Sequence, residues 1–288
     1  TRVVIGIERS MKVVMARRID LLSVYVNGWG MSLPDTLSSI RRIDGGFATT
    51  VPEDWMQGRT CYGGFSSALA LEAARGLAPD LPPLRSAQVS FVGPLSGEVE
   101  VRAKVLRRGR NASWISAEIT SDAGVGLTAT FVFMGPVDSS LHLHEVPLPA
   151  KVVPVEQAKP IPEGRGPGFA GHFNRRFGLP RTDAPEPEIG WWVQLKDREG
   201  LDPMVELLLC GDALPPGVLF MMQSAAPISS MTWLVNLLTP LPASRDGWWF
   251  LRSAGNYAEK GCSSQDMGIW TADGEAVAVG VQSIALFG

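Results

Sequence analysis

Paired cysteine motifs are missing from this 288-residue sequence, since Cys61, Cys210 and Cys262 lie far apart with no C-x-x-C. Neither a disulfide framework nor a zinc cluster is expected, and a reducing, cytoplasmic setting fits. Histidine is scarce as well. His142 and His144 stand beside Glu145 in a Pro-rich stretch, where an exposed pair is expected rather than a metal site, and His172 in GHFNRRF reads as a hydrogen-bonded structural residue. No apolar run approaches the roughly 18 to 20 residues that span a bilayer, because Pro, Gly or charge interrupts each candidate. The 26 basic and 29 acidic residues are scattered, and only Arg107, Arg108 and Arg110 cluster, which argues against nucleic acid as a partner. A G-x-S-x-G elbow and a G-x-x-x-x-G-K-[ST] loop are absent, so neither an α/β-hydrolase triad nor a nucleotide or dinucleotide site is expected. No cofactor and no metal are expected.

What the sequence does contain is a weak internal repeat. Residues 1–30 read as a non-core extension, 31–136 as a first unit, 137–167 as a Pro-rich linker and 168–288 as a second unit. In the first, Tyr62 to Arg75 (YGGFSSALALEAAR) is a strong helix former, followed by β-rich stretches at Ser86 to Val92, Glu98 to Arg107, Ser113 to Ser121 and Gly126 to Met134. A shorter helix is expected from Asp35 to Ile40. The second unit repeats the order: a strand at Gly190 to Leu195, a helix from Pro203 to Leu214, and strands near Ser230 to Leu237, Trp248 to Gly255, Ser264 to Thr271 and Ala276 to Phe287. Asp-Gly-type turns recur at Asp122-Ala123-Gly124 and Asp273-Gly274. Each unit is thus a sheet wrapped around one long helix, and two such sheets hide their edges by joining. The expected fold is α+β, a double hotdog with two antiparallel sheets joined into a continuous one.

Several polar residues are candidates for chemistry. Asp212 lies in the apolar stretch LLLCGDALPPGVL, where a carboxylate meets a desolvation cost unless it faces a polar site; the plainer reading is a solvated helix end. Ser230 opens a strand, and Gln282 interrupts the apolar final strand AVAVGVQSIALF; each is equally well a structural residue. Aligning the terminal strands by Phe133 and Phe287 sets Thr128 against Gln282, and Arg85-Ser86 against Ser229-Ser230. Gly63 and Gly64 start the first long helix, so their N–H groups are free of intrahelical partners and carry the positive end of its dipole; close packing explains them as well. The paired tryptophans Trp191-Trp192 and Trp248-Trp249 should each send one ring to the core and its neighbour to the opposite face.

The segments QGRTCYGG (57–64), Arg85 to Pro94, WVQLKD (192–197), ISSMTW (228–233), SQDMG (264–268) and VQS (281–283) together resemble the acyl-CoA thioesterase II family and its thioesterase-like relatives, over about Phe47 to Gly288. The resemblance implies hydrolysis of an acyl-CoA thioester to free acid and CoA by an oriented water. It assigns the catalytic roles to Asp212, Ser230 and Gln282; beside them Gly63, Gly64 and Tyr62 are expected on the substrate side, Gly64 as oxyanion donor through its free N–H. Relatives often carry a polar residue directly after the Gly pair; here it is Phe65. A non-catalytic acyl-CoA or lipid-binding protein of the same fold is the alternative. A homo-oligomer is expected, because free sheet edges or an exposed face invite further pairing.

Overall fold

The computed structural model describes residues 30–180, 182, 184–224 and 226–287, so of the expected extension 1–30 only Gly30 falls within it. Three helices form. α1 (Leu33–Ser38) starts at Ser32, whose hydroxyl accepts from the Asp35 N–H while the Asp35 carboxylate accepts from the Ser32 N–H, a reciprocal capping box. α2 (Gly63–Arg75) buries ten of its thirteen residues. α3 (Pro203–Gly211) starts at Asp202, which caps the Met204 N–H at 2.9 Å; Pro203 sits at the first turn, where its missing N–H costs nothing. Every α3 residue after Pro203 is buried, as a helix apolar nearly all round requires. Among the described residues, no helix is long and apolar enough to cross a membrane.

The strands are β1 (Arg41–Ile43), β2 (Gly46–Thr50), β3 (Met56–Gln57), β4 (Thr60–Cys61), β5 (Leu84–Phe91), β6 (Glu98–Arg108), β7 (Ala112–Ser121), β8 (Gly124–Met134), β9 (Phe173–Phe177), β10 (Glu188–Leu195), β11 (Ile228–Leu237), β12 (Trp248–Glu259), β13 (Cys262–Thr271) and β14 (Ala276–Leu286). All but the β3–β4 hairpin join one antiparallel sheet of twelve, in the order β1-β2-β6-β7-β8-β5-β11-β14-β13-β12-β10-β9. The second six repeat the first six in reverse, so the halves meet as an approximate two-fold at β5 and β11, where Gln88 pairs with Leu234 and Ala87 with Val235. The expected double hotdog is the observed fold.

Matched β-bulges fix the register of the repeat. One interrupts β5 between Leu84 and Ser86 and β11 between Ser230 and Thr232. Another lies between Val105 and Arg107 in β6 and between Gly255 and Tyr257 in β12. A third skips Gly126 in β8 and Val277 in β14. Superposing all three places Gln282 on Phe131, Gln265 on Ile115, Ser253 on Ala103 and Ser230 on Leu84. The alignment by terminal phenylalanines is therefore off by three residues. Thr128 faces an open polar groove on the outside of the first sheet, with Gln88, Ser90 and Arg102. The cause is that β14 ends differently from β8, whereas a bulge marks the pleat itself.

α2 and α3 lie against each other inside the concave sheet, in one core that includes Phe65, Leu69, Leu208, Phe131, Val235 and Trp249. The segment 137–167 does more than link. Its residues Val146, Leu148, Val152, Val153, Val155 and Ala158 lie over the outer face of the second sheet and close a smaller core with Trp192, Phe250 and Trp270. The Trp192 indole donates to the Val153 carbonyl at 2.8 Å and the Trp270 indole to that of Val146 at 3.2 Å. The tryptophan pairs divide as alternation demands: Trp191 and Trp249 pack on the main core, Trp192 and Trp248 on the outer one.

Candidate active site

Asp212 follows α3 as its C-cap and is half-buried. Its Oδ1 accepts from Gln282 Nε2 at 2.8 Å, and the Gly64 N–H at the start of α2 also donates to the carboxylate. Burial pushes the carboxyl up from the usual carboxylate range to about 7; the two hydrogen bonds counter this only in part. Such a group changes protonation near neutral pH, which suits a general base.

The carboxylate opens on a cavity of about 290 Å³ bounded by the β3–β4 hairpin, Gly63 and Ser66 of α2, Phe91 to Leu95, and Ile228 to Ser230. Residues of both halves therefore build it. Ser230 lines this cavity with Asp212, whereas Gln282 lies behind the carboxylate, 4% exposed. Arg59 stands exposed at the rim. Cys61 also lines the cavity, but burial raises its thiol far above the ordinary range, which keeps it protonated and poorly nucleophilic.

The three residues expected on the substrate side separate. A Cβ on Gly63 would lie 2.4 Å from Asp212 Oδ2 and 2.9 Å from the Phe91 ring, so this glycine borders the cavity and leaves room for the carboxylate. Gly64 and Tyr62 do not line it. A Cβ on Gly64 would meet the Leu209 carbonyl at 2.5 Å and the Tyr62 ring at 2.6 Å, and Tyr62 is fully buried with its hydroxyl on that same carbonyl. Both serve the close approach of α2 to α3, and the Gly64 N–H is turned to Asp212. Phe65 points into the core, stacked on Trp55 at 4.7 Å, so the unit-one helix brings no polar side chain at this position.

Sequence reasoning missed the support behind Gln282. Gln265 on β13, 1% exposed, donates through Nε2 to Gln282 Oε1 at 2.8 Å and approaches Ser253 Oγ at 3.4 Å; its own Oε1 accepts from the Gly217 N–H at 2.9 Å. Period-two alternation over Ser263, Gln265 and Met267, all inward-facing, was the available signal. In the first half the matched positions Phe131, Ile115 and Leu84 are buried and apolar, so the polar cluster exists once.

The remaining candidates fall outside the site. His172 is buried, stacks on Trp55 at 3.9 Å, and has Nε2 3.0 Å from Asp54 Oδ2. His142 and His144 are exposed. Gly166 to Gly171 in fact spells G-x-G-x-x-G, but it runs from the end of the segment 137–167 into a short 3-10 helix and then β9. A dinucleotide loop needs the opposite order, strand into helix. A larger cavity of about 820 Å³ lies around His172, Arg175 and Arg176, away from Asp212.

The comparisons with known proteins agree with this geometry. The acyl-CoA thioesterase N-terminal domain matches residues 51–134 and the acyl-CoA thioesterase C-terminal domain residues 149–286. Among curated proteins none matches the chain. Solved structures with the same fold include a hot dog protein of unknown function from Alicyclobacillus acidocaldarius, 19% identical over 88% of this chain and 97% of that one (TM-score 0.77). A candidate thioesterase II from Thermobifida fusca is 22% identical over 89% and 97% (0.76). An acyl-CoA thioesterase II from Mycobacterium marinum is 14% identical over 88% and 98% (0.71). With both domains matched in tandem on a continuous double-hotdog sheet, the chain belongs to the acyl-CoA thioesterase family.

Proposed function

We propose that the protein hydrolyses an acyl-CoA thioester to a free acid and CoA, with Asp212 as the general base. The observation that carries this reading is a carboxyl held near pH 7 at the wall of a cavity, gripped from behind by a buried amide. In its ionised form Asp212 takes a proton from a water held between its carboxylate and the Ser230 hydroxyl. The water oxygen attacks the thioester carbonyl carbon, the C–S bond breaks, and the CoA sulfur leaves with the proton returned by Asp212. Negative charge developing on the carbonyl oxygen is favoured by the positive end of the α2 dipole, which meets the cavity at Gly63. Ser230 holds water and is not a nucleophile, since among the described residues no base is hydrogen-bonded to its hydroxyl. Arg59 at the rim suits the anionic part of CoA.

The test is turnover of acyl-CoAs of several chain lengths, followed with a thiol reagent. Release of CoA that collapses in Asp212→Ala supports the reading; turnover unchanged by that substitution overturns it. Tight calorimetric binding of a non-hydrolysable acyl-CoA analogue, without hydrolysis of any substrate, would mark a binding protein instead.

A further inference from the structure

An amide side chain has two ends of similar shape and opposite polarity, and only its partners decide which end faces where. For Gln282 that choice is consequential: its NH₂ stabilises an ionised Asp212, whereas its carbonyl oxygen would stabilise the protonated acid. Nothing in Asp212 itself decides, because a carboxyl accepts or donates according to its proton.

The decision is made further back. The Gly217 N–H can only donate, so the end of Gln265 that meets it, at 2.9 Å, is the oxygen. The NH₂ of Gln265 then faces Gln282 at 2.8 Å, which must present its own oxygen, leaving its NH₂ for Asp212. Gly217 is itself immobilised, since a Cβ there would lie 2.6 Å from the Pro187 carbonyl, 2.7 Å from the Gly255 nitrogen and 2.8 Å from the Ser253 carbonyl. The chain of bonds also closes on itself: Gly217 lies five residues after Asp212, so one backbone segment supplies both ends of the relay. Both glutamines are 4% exposed or less, so water does not compete for them.

We infer that Gln265 is a positioning residue: by passing the polarity of the Gly217 N–H to Gln282, it determines which form of Asp212 the site favours. This rests on Asp212 being the base. Other titratable groups near that carboxyl are few: Arg59 and Cys61 of the β3–β4 hairpin line its cavity, and Tyr62 ahead of α2 and Cys210 of α3 lie behind it. β11 and β14 contain none, and the one on β5, Arg85, turns to the Leu237 carbonyl.

The experiment follows the Asp212 carboxyl by carbon-13 NMR across pH, with kcat and KM measured alongside. Gln265→Leu cuts the relay. Gln265→Glu reverses it above the pH at which the new buried carboxyl ionises, since a carboxylate there demands the NH₂ of Gln282 and turns its oxygen to Asp212. The expected result is an Asp212 midpoint raised by about one pH unit in Gln265→Leu and by more in ionised Gln265→Glu, with kcat at pH 7 down about fivefold or more and KM changed less than about threefold. Ser253→Ala, which leaves the three-amide relay intact, should move the midpoint little. In a Gln282→Ala background Gln265→Leu should have no further effect. Folded variants with an unmoved midpoint overturn the inference. Should the Gln265 variants fail to fold, wild-type protein decides: the Gln282 side-chain NH₂ resonances must track the Asp212 titration, and indifference overturns it. If the midpoint moves as expected in a protein that hydrolyses no acyl-CoA, the relay stands and the hydrolase reading falls.

Discussion

The Tyr62 hydroxyl donates to the Leu209 carbonyl at 2.7 Å, fastening the start of α2 to the last turn of α3. That carbonyl is one of the four at a helix end without an intrahelical partner, and it is buried. The bond therefore joins the two halves one residue before Gly63 and three before Asp212, both of which line the cavity.

Tyr62→Phe keeps the ring and its stacking on Phe169 but strands the carbonyl. Chemical denaturation should show a loss of about 1–3 kcal/mol. Because Asp212 is three residues beyond Leu209, kcat should fall too, by several-fold.

The two adjacent glycines should fail in different ways. Gly63→Ala pushes against Asp212 and Phe91, so thioester turnover should drop about tenfold or more with the thermal midpoint nearly unchanged. Gly64→Ala pushes a backbone carbonyl and the buried Tyr62 ring, and should lower stability by roughly 1–3 kcal/mol. Differential scanning calorimetry paired with turnover separates the two; equal losses in both would contradict this division.

Asp212 carries a pH signature in stability. Its folded value of about 7 lies above the ordinary 3.8, so between these the folded state binds more protons than the unfolded one, and stability falls as pH rises through that window. Asp212→Asn removes the slope. Relative to wild type, the variant should gain stability steadily from pH 4 to pH 7 and hold the gain above it, read by thermal melts at each pH.

In activity the sign reverses. A base must be ionised, so kcat/KM of the wild type should rise with pH to a plateau with a midpoint near 7, and Asp212→Asn should lose about 10²–10⁴ in rate. Ser230→Ala should lower the plateau about tenfold without moving the midpoint, whereas Ser230→Thr should retain most of it. A midpoint that shifts in Ser230→Ala would give the hydroxyl a different role.

Much of the fold was legible because α2 and α3 are apolar and flanked by Gly or Asp-Pro starts, and because β7 and most of β8 alternate cleanly. The edge strands β1 and β9 were not, being three and five residues long and rich in exposed or half-buried Arg. Asp212 was conspicuous as an acid in an apolar run, and Gln282 as an amide in a β strand. Gln265 was hidden by company, since in SSQDMG every neighbour but Met and Gly is polar and only the pleat says which of them turns inward. β14 ends differently from β8, so matching their terminal phenylalanines slips the register by three residues, and an odd slip inverts the face. That is why Thr128, and not Phe131, looked like the counterpart of Gln282.

The ladder between Ala87 and Val235 joins two halves that an assembly of identical single units would have to keep alike. In such an assembly each substitution appears twice, so an inward glutamine would be installed on both sides of the axis. Fusion into one chain releases that constraint. One copy is free to fill its counterpart positions with Phe131, Ile115 and Leu84 and so strengthen the molecule, while the other carries the entire burden of burying two amides and an acid.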